Sequence, residues 1–213
     1  MSRGRAFVWV VVPLGVAWLV VRWMWLTQAV DTVWNGEPYP VADPAVTASR
    51  IDERTQDVYD ALALPDAGLD RAWPGRAVEA YGSSCRPRGL RHFSDQLADS
   101  PPSADGVVTV HSEWALTGVS PADAAAGLRR VEKRLEPRGW EVVEYDHDGT
   151  RPFMRLRPPG GGDEDQIQIQ SYPRDRLQVA AYSSCARYPE GTPLTSYGEP
   201  ALPAQQAPAQ LRD

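Results

Sequence analysis

The stretch from Ala6 to Leu26 reads AFVWVVVPLGVAWLVVRWMWL, and it constrains this chain more than any other feature. As a helix it would span about 31 Å, enough for a bilayer core of roughly 30 Å. No residue from Ala6 to Val21 carries a charge. Arg22 falls one turn from the outer end, where its long stem can carry the guanidinium to the headgroups. Trp9 lies near one end and Trp23 and Trp25 surround Arg22 near the other, matching the preference of tryptophan for both membrane interfaces. Pro13 and Gly15 can kink such a helix without forbidding it. Arg3 and Arg5 precede the run, and Asp31 and Glu37 follow it. Positive flanks stay inside. Residues 1–5 are therefore expected in the cytoplasm, 6–26 as a transmembrane helix in the cell membrane, and the remainder as extracytoplasmic. The competing reading is a cleaved signal peptide with a small-residue site at Thr27-Gln28-Ala29. Against it, the apolar run is long for such a segment, and bulky Trp and Met fill the approach. A buried helix of a soluble protein is the third option. No cysteine follows the run closely, which argues against a lipid-modified precursor.

The rest of the chain is poor in aliphatic residues, so its core must be modest. Net charge is −6, and Lys133 is the only lysine among 22 basic residues. No basic face points to nucleic acid. The two cysteines, Cys85 and Cys185, both lie on the expected exported side, where an even count argues for a disulfide. That bond would close a loop of about 100 residues, worth up to about 4.7 kcal/mol in the chain-entropy model. The flanking sequences are alike, Ala80-Tyr81-Gly82-Ser83-Ser84-Cys85 against Ala181-Tyr182-Ser183-Ser184-Cys185. Two edges of the fold meeting at a cross-link would account for this, as would coincidence at two strand ends. A redox role is disfavoured by the lack of a C-x-x-C pair.

Residues 27–42 read as a linker. Asp43 and Pro44 then suit the cap and first position of a helix. Ile51, Val58 and Leu62 recur at helical spacing with Thr47 and Thr55 on the same stripe, and Pro65 ends the run. A short strand is expected around 76–84, and 85–106, with Pro87, Gly89, Pro101 and Pro102, as mostly loop. VVTVHSEWAL alternates, placing Val108, Val110, Trp114 and Leu116 on one strand face. Ser120, Pro121 and Asp123 start a helix with Ala124, Leu128, Val131 and Leu135 on a narrow apolar stripe. Strands follow at 140–145, 153–157, 166–170 and 177–183, with Asp148-Gly149 as a tight hairpin turn. Short turns mean antiparallel neighbours. The expected class is α+β: after the membrane helix, a two-layer sandwich over 43–188, with a mainly antiparallel sheet of five or six strands and two helices on one face. Gln166, Gln168 and Gln170 require the other face to be wet. Residues 189–213, rich in Pro, Ala and Gln, read as a disordered tail.

No motif carries chemistry. His92, His111 and His147 are far apart and lack metal spacing, and His111 falls on the outward strand face, where solvation is expected. Asp146-His147-Asp148 and Asp163-Glu164-Asp165 offer hard oxygen ligands, but consecutive hairpins put these turns at opposite ends of the sheet. Ser83 and Ser84 follow Gly82 without a nucleophile-elbow pattern. Gly160-Gly161-Gly162 lacks the lysine and following helix of a phosphate loop. The outer face of the second helix, with Arg129, Arg130, Lys133, Arg134 and Arg138, reads as a solvated face that could meet anionic lipid or cell-wall polymer. No catalytic, cofactor-binding or metal-binding residue is assigned.

The helix ending QDVYDALAL, the Cys85 segment, the stretch WALTGVSPADAAAGLRRVEKRLEPRGWEVVEY and the closing LQVAAYSSC resemble uncharacterised extracytoplasmic proteins, membrane-anchored or lipid-anchored, of high-GC actinobacteria. The resemblance covers residues 45–188. It implies an exported, disulfide-linked domain, names no substrate, and differs from the lipid-anchored members by the absence of a lipobox cysteine. The expected function is a non-enzymatic, membrane-tethered module acting on an envelope protein or polymer. The alternatives are a ligand-binding sensor and, behind it, an envelope hydrolase.

Overall fold

The structure, a computed structural model, describes residues 18, 22–23, 25–26, 28–73, 79–146 and 151–211. Most of the expected span over 6–26 lies outside these residues. Of it, 18, 22–23 and 25–26 are helical. Among the described residues no helix is long and apolar enough to cross a membrane. The chain divides into two compact units, Met1–Pro38 with Arg86–Ala104, and Tyr39–Cys85 with Asp105–Asp213.

The second unit is α+β. Helix α1 (Pro44–Leu62) starts where Asp43 accepts hydrogen bonds from the Ala45 and Val46 amides at 2.8 and 3.2 Å. This satisfies two of the amides that a helix start leaves without partners. Helix α2 (Pro121–Leu135) starts likewise, with the Asp123 amide donating to the Ser120 hydroxyl at 3.1 Å. The strands are β1 (Gly68–Leu69), β2 (Glu79–Ser84), β3 (Val107–Thr117), β4 (Glu141–Asp146), β5 (Phe153–Arg157), β6 (Gln166–Tyr172), β7 (Arg176–Tyr182) and β8 (Ala186–Arg187). They form one open sheet in the order β1-β3-β7-β6-β5-β4, all antiparallel, with β2 and β8 also paired to β3. The register puts β1 and β2 on one side of β3, and β8 on the other in line with β7. Eight segments thus fill six positions.

Both helices cover one face. Trp114, Leu116, Leu156, Ile167, Ile169, Leu177 and Val179 meet Ile51, Val58, Leu62, Leu128, Val131 and Leu135 there. Trp114 is fully buried, with its ring edge-on to Tyr59 at 6.2 Å. Gly127 is buried in mid-helix, and a Cβ there would come within 3.1 Å of Leu62 Cδ2. A helical glycine costs about 1 kcal/mol relative to alanine, and here it permits the close approach of α1 to α2.

Of the basic face on α2 and the turn after it, Arg129, Lys133, Arg134 and Arg138 are exposed, as a solvated face requires, and Arg130 is half-buried; three of the five also reach α1. Arg130 donates to Leu62 O at 2.8 Å and to Ala63 O at 3.3 Å, and Arg134 donates to Asp60 O at 3.0 Å. Arg138 pairs with Asp57 at 2.8 Å. The last turn of α1 holds no basic residue of its own, so its carbonyls, the negative end of the helix dipole, are met by cations from α2.

Residues after Tyr188 suggested disorder by composition. In the structure Gln205, Ala209 and Gln210 bond a stripe of α1. The Ala209 amide donates to Gln56 Oε1 at 2.7 Å and Gln210 Nε2 to Asp60 at 2.8 Å. Gln205, with its amide nitrogen turned inward, donates to Asp52 at 2.7 Å and Ala48 O at 3.3 Å. These partners fall at positions 48, 52, 56 and 60, one ridge of the helix.

In the first unit, residues 28–35 are helical where a linker was expected, and the loop read over 85–106 contains a 3-10 turn, Leu90–His92, running into a short helix, Phe93–Gln96. The two segments of this unit meet backbone to backbone. A Cβ on Gly36 would lie 2.4 Å from Arg88 Cβ, and one on Gly89 would lie 2.3 Å from the Asn35 carbonyl carbon. Both glycines also have left-handed φ, 81° and 93°. Any side chain at either position would push the segments apart.

Candidate functional site

The face of the sheet without helices gathers most of the polar and aromatic strand residues. Alternation along β3 turns Thr109, His111 and Glu113 to this face. Pairing then sets Tyr81 and Tyr182 on either side of His111. The His111 ring meets Tyr81 edge-on and stacks on Tyr182 with centroids 5.8 Å apart. His111 is only 8% exposed, where solvation was expected, because its neighbours close over it. Burial lowers its pKa below the ordinary 6.5, and nearby Glu113 opposes that only in part. Burial likewise raises the Tyr182 phenol, reinforced by Glu113.

Further along the face, Trp73 lies buried against the sheet. Its indole N–H donates to Glu113, its ring meets Tyr172 edge-on at 5.1 Å, and the Arg176 guanidinium stands 5.0 Å from its centre. Between this cluster and the histidine run the amides. Gln168 stands beside Ala180, and Gln170 beside Gln178, with Gln166 next to Tyr182. The four glutamines are half-buried. The surface is therefore an amide floor framed by two aromatic groups.

The disulfide closes one end of the site. Cys85 and Cys185 are bonded, with Cα atoms 6.1 Å apart. The similar segments that carry them flank the same strand, one on each side of β3. Strands two places apart are separated by roughly 9.6 Å, so a flat sheet could not bring these cysteines together. The β7 side makes up the difference. Ser183, Ser184 and Cys185 stand opposite only Val110 and Thr109, between the pairings Tyr182 with His111 and Ala186 with Val108. This is a bulge, which bends a strand and re-aims its side chains. It is held by the Val110 amide donating to Ser183 Oγ at 2.9 Å and by Thr109 Oγ1 donating to Ser183 O at 2.6 Å.

The acidic turn considered for calcium serves the same bulge. Asp165 accepts from the Ser184 amide at 2.6 Å and pairs with Arg54 at 2.8 Å, and Glu164 accepts from the Cys185 amide at 3.3 Å. Burial pushes the Asp165 carboxyl upward, but Arg54 and Ser184 together outweigh it and hold the pKa below the ordinary carboxylate value. Among the described residues no group of three or more His, Cys, Asp or Glu converges as a metal site. His147 and Asp148 lie outside the described residues, as do the interface candidates Arg3, Arg5 and Trp9. Arg22, Trp23 and Trp25 are exposed and helical, with the Arg22 guanidinium 5.2 Å from the centre of the Trp18 ring. His92 pairs with Asp95 at 3.0 Å.

Sequence reasoning missed Trp73, whose segment shows no periodicity. It also missed the pairing of both tyrosines with His111, although the repeated Ala-Tyr before each cysteine was the available signal. No protein-family model, curated protein or solved structure matches this chain.

Proposed function

We propose that this chain is a membrane-tethered, extracytoplasmic binding module, not an enzyme, and that it engages an envelope protein or polymer through the helix-free face of its sheet. The apolar run over 6–26 with Arg3 and Arg5 before it supports the tether and its direction, and the disulfide suits an oxidising compartment. The observation that carries the reading is the amide floor between Trp73 and the Tyr81–His111–Tyr182 row. Half-buried amides offer both donors and acceptors, and aromatic rings add large contact area at low entropic cost. Such a surface grips an extended partner by its backbone or hydroxyls.

In-cell photocrosslinking on the full chain tests it. A photoreactive residue replacing Gln178 should recover an adduct, and the same residue at Lys133 should not. Equal recovery from both positions, or none from either, would overturn it. Release of the chain from membranes by a carbonate wash would overturn the tether.

A further inference from the structure

Most of the large apolar side chains left exposed among the described residues belong to the first compact unit. On its helical segment Leu26, Val30, Val33 and Trp34 are 54–68% exposed and fall on one side of the helix. Gln28 and Asn35 fall on the other. On its second segment Leu90, Phe93 and Leu97 are 57, 59 and 72% exposed. They follow i, i+3, i+7 from the 3-10 turn through the short helix to its C-cap residue Leu97. Side chains so exposed do nothing for folding, and patches of this kind mark contact surfaces. The close join of Gly36 to Gly89 puts Trp34, the last residue of one stripe, and Leu90, the first of the other, two residues and one residue from the same crossing point.

From this we infer that the unit is an interfacial foot, with 26–34 and 90–97 lying in the outer headgroup layer of the membrane. The proposal rests on the N-terminal run being a membrane span. That run hands over directly to the exposed stripe, so the lipid surface is the contact already nearest to it. Charge along the second segment is uneven: Arg86, Arg88 and Arg91 stand at its start, where anionic headgroups would meet them, and Asp95 and Asp99 lie further on. Trp34 takes the interfacial place that tryptophan prefers. Trp23, Leu26, Val30, Asp31 and Trp34 line an open groove of about 380 Å³ on the helical segment, mostly apolar and suited to an acyl chain. The segment 86–104 also leaves and returns to one place in the other unit, where the Cys85 amide donates to Val107 O at 3.4 Å. A long excursion with clamped ends is a common form for a binding loop.

The test uses the full chain in vesicles of phosphatidylglycerol and phosphatidylcholine. An environment-sensitive fluorescent residue replaces Phe93, Leu97 or, as control, Lys133, and bromine-labelled lipids act as the quencher. Emission at 93 and 97 is expected to shift to the blue and be quenched several-fold more than at 133. Replacing Arg86, Arg88 and Arg91 together by Gln is expected to weaken that quenching. Quenching at 93 and 97 no greater than at 133 would overturn the foot. A carbonate wash of the same samples reads the span separately. A chain that resists the wash but shows no quenching at 93 loses the foot and keeps the tether.

Discussion

The two faces of the sheet are made from the same strands and differ by one residue of register. On β3, Val110, Trp114 and Leu116 face the helices, and His111 and Glu113 face away. The covered face is filled mainly by buried aliphatic residues from two helices and four strands, together with the rings of Tyr59, Trp114 and Trp140. The open face sets half-buried amides among rings that range from buried His111 and Trp73 to exposed Tyr81, joined across strands by side-chain contacts. One face gains its energy from removal of apolar area, which is large and indifferent to detail. The other gains little for folding and retains polar groups that only a partner would use fully. Stability and recognition are thus separated by the alternation of a single strand.

The largest effect should come from the covered face. Trp114→Ala removes a fully buried side chain and leaves a cavity among Tyr59 and the helix stripes, at a cost of about 3–5 kcal/mol. Urea unfolding of the full chain in detergent reads it directly. A loss below about 1 kcal/mol would mean that the covered face can collapse around the gap, and the contrast between faces would fail.

Next in size are the elements that pin the bulge beneath the open face. Removing the disulfide by replacing both cysteines with serine should cost about 2–4 kcal/mol. Asp165→Ala should cost about 3 kcal/mol, because Arg54 is left largely buried without its partner. Asp165 also gives a pH signature. Its folded pKa lies below the ordinary 3.8, so its contribution is present above that value. The contribution is lost as pH falls through the lower folded value. Acid unfolding of the wild type should therefore be steeper at the low end than that of Asp165→Asn.

How far these features could be read from the chain depended on the range of the interaction that fixes them. Helix starts at Asp43 and Ser120 were legible because a cap and a proline sit within three residues of each other. The hairpins from β4 to β7 were legible from alternation and short turns. The return of β7 to β3 was not, because it joins residues about 70 apart with no local marker. Nor was the fate of Arg130 and Arg134. The stripe is solvated as its charge suggests, but the sequence does not show that two of its guanidiniums also cap the end of another helix. The terminal Pro, Ala and Gln residues were misleading in the same way, since their partners on α1 lie about 150 residues earlier. Of the site, the glutamine row was visible as strict alternation, and Trp73 was not.

A smaller effect should come from His111. Its folded pKa is lowered from 6.5 by burial, so the unfolded chain takes up a proton more readily. Stability should then decline as pH drops through 6.5, the region where the unfolded histidine charges. His111→Phe keeps the stack with the two tyrosines and should flatten that decline. A decline of equal slope in this variant would assign it to other groups.

The smallest expected change in stability is at the centre of the open face. Gln168 is half-buried and stands between Ala180 and Arg155 in the register. Gln168→Ala removes an amide but no part of the core, so unfolding should move by no more than about 0.5 kcal/mol. If the face binds a partner, the same substitution should reduce photocrosslinking from position 178 sharply. A residue that matters little to folding and much to capture is what a recognition surface predicts. A large loss of stability at Gln168 would instead make the amide row a structural ladder, and both faces of the sheet would then serve the fold.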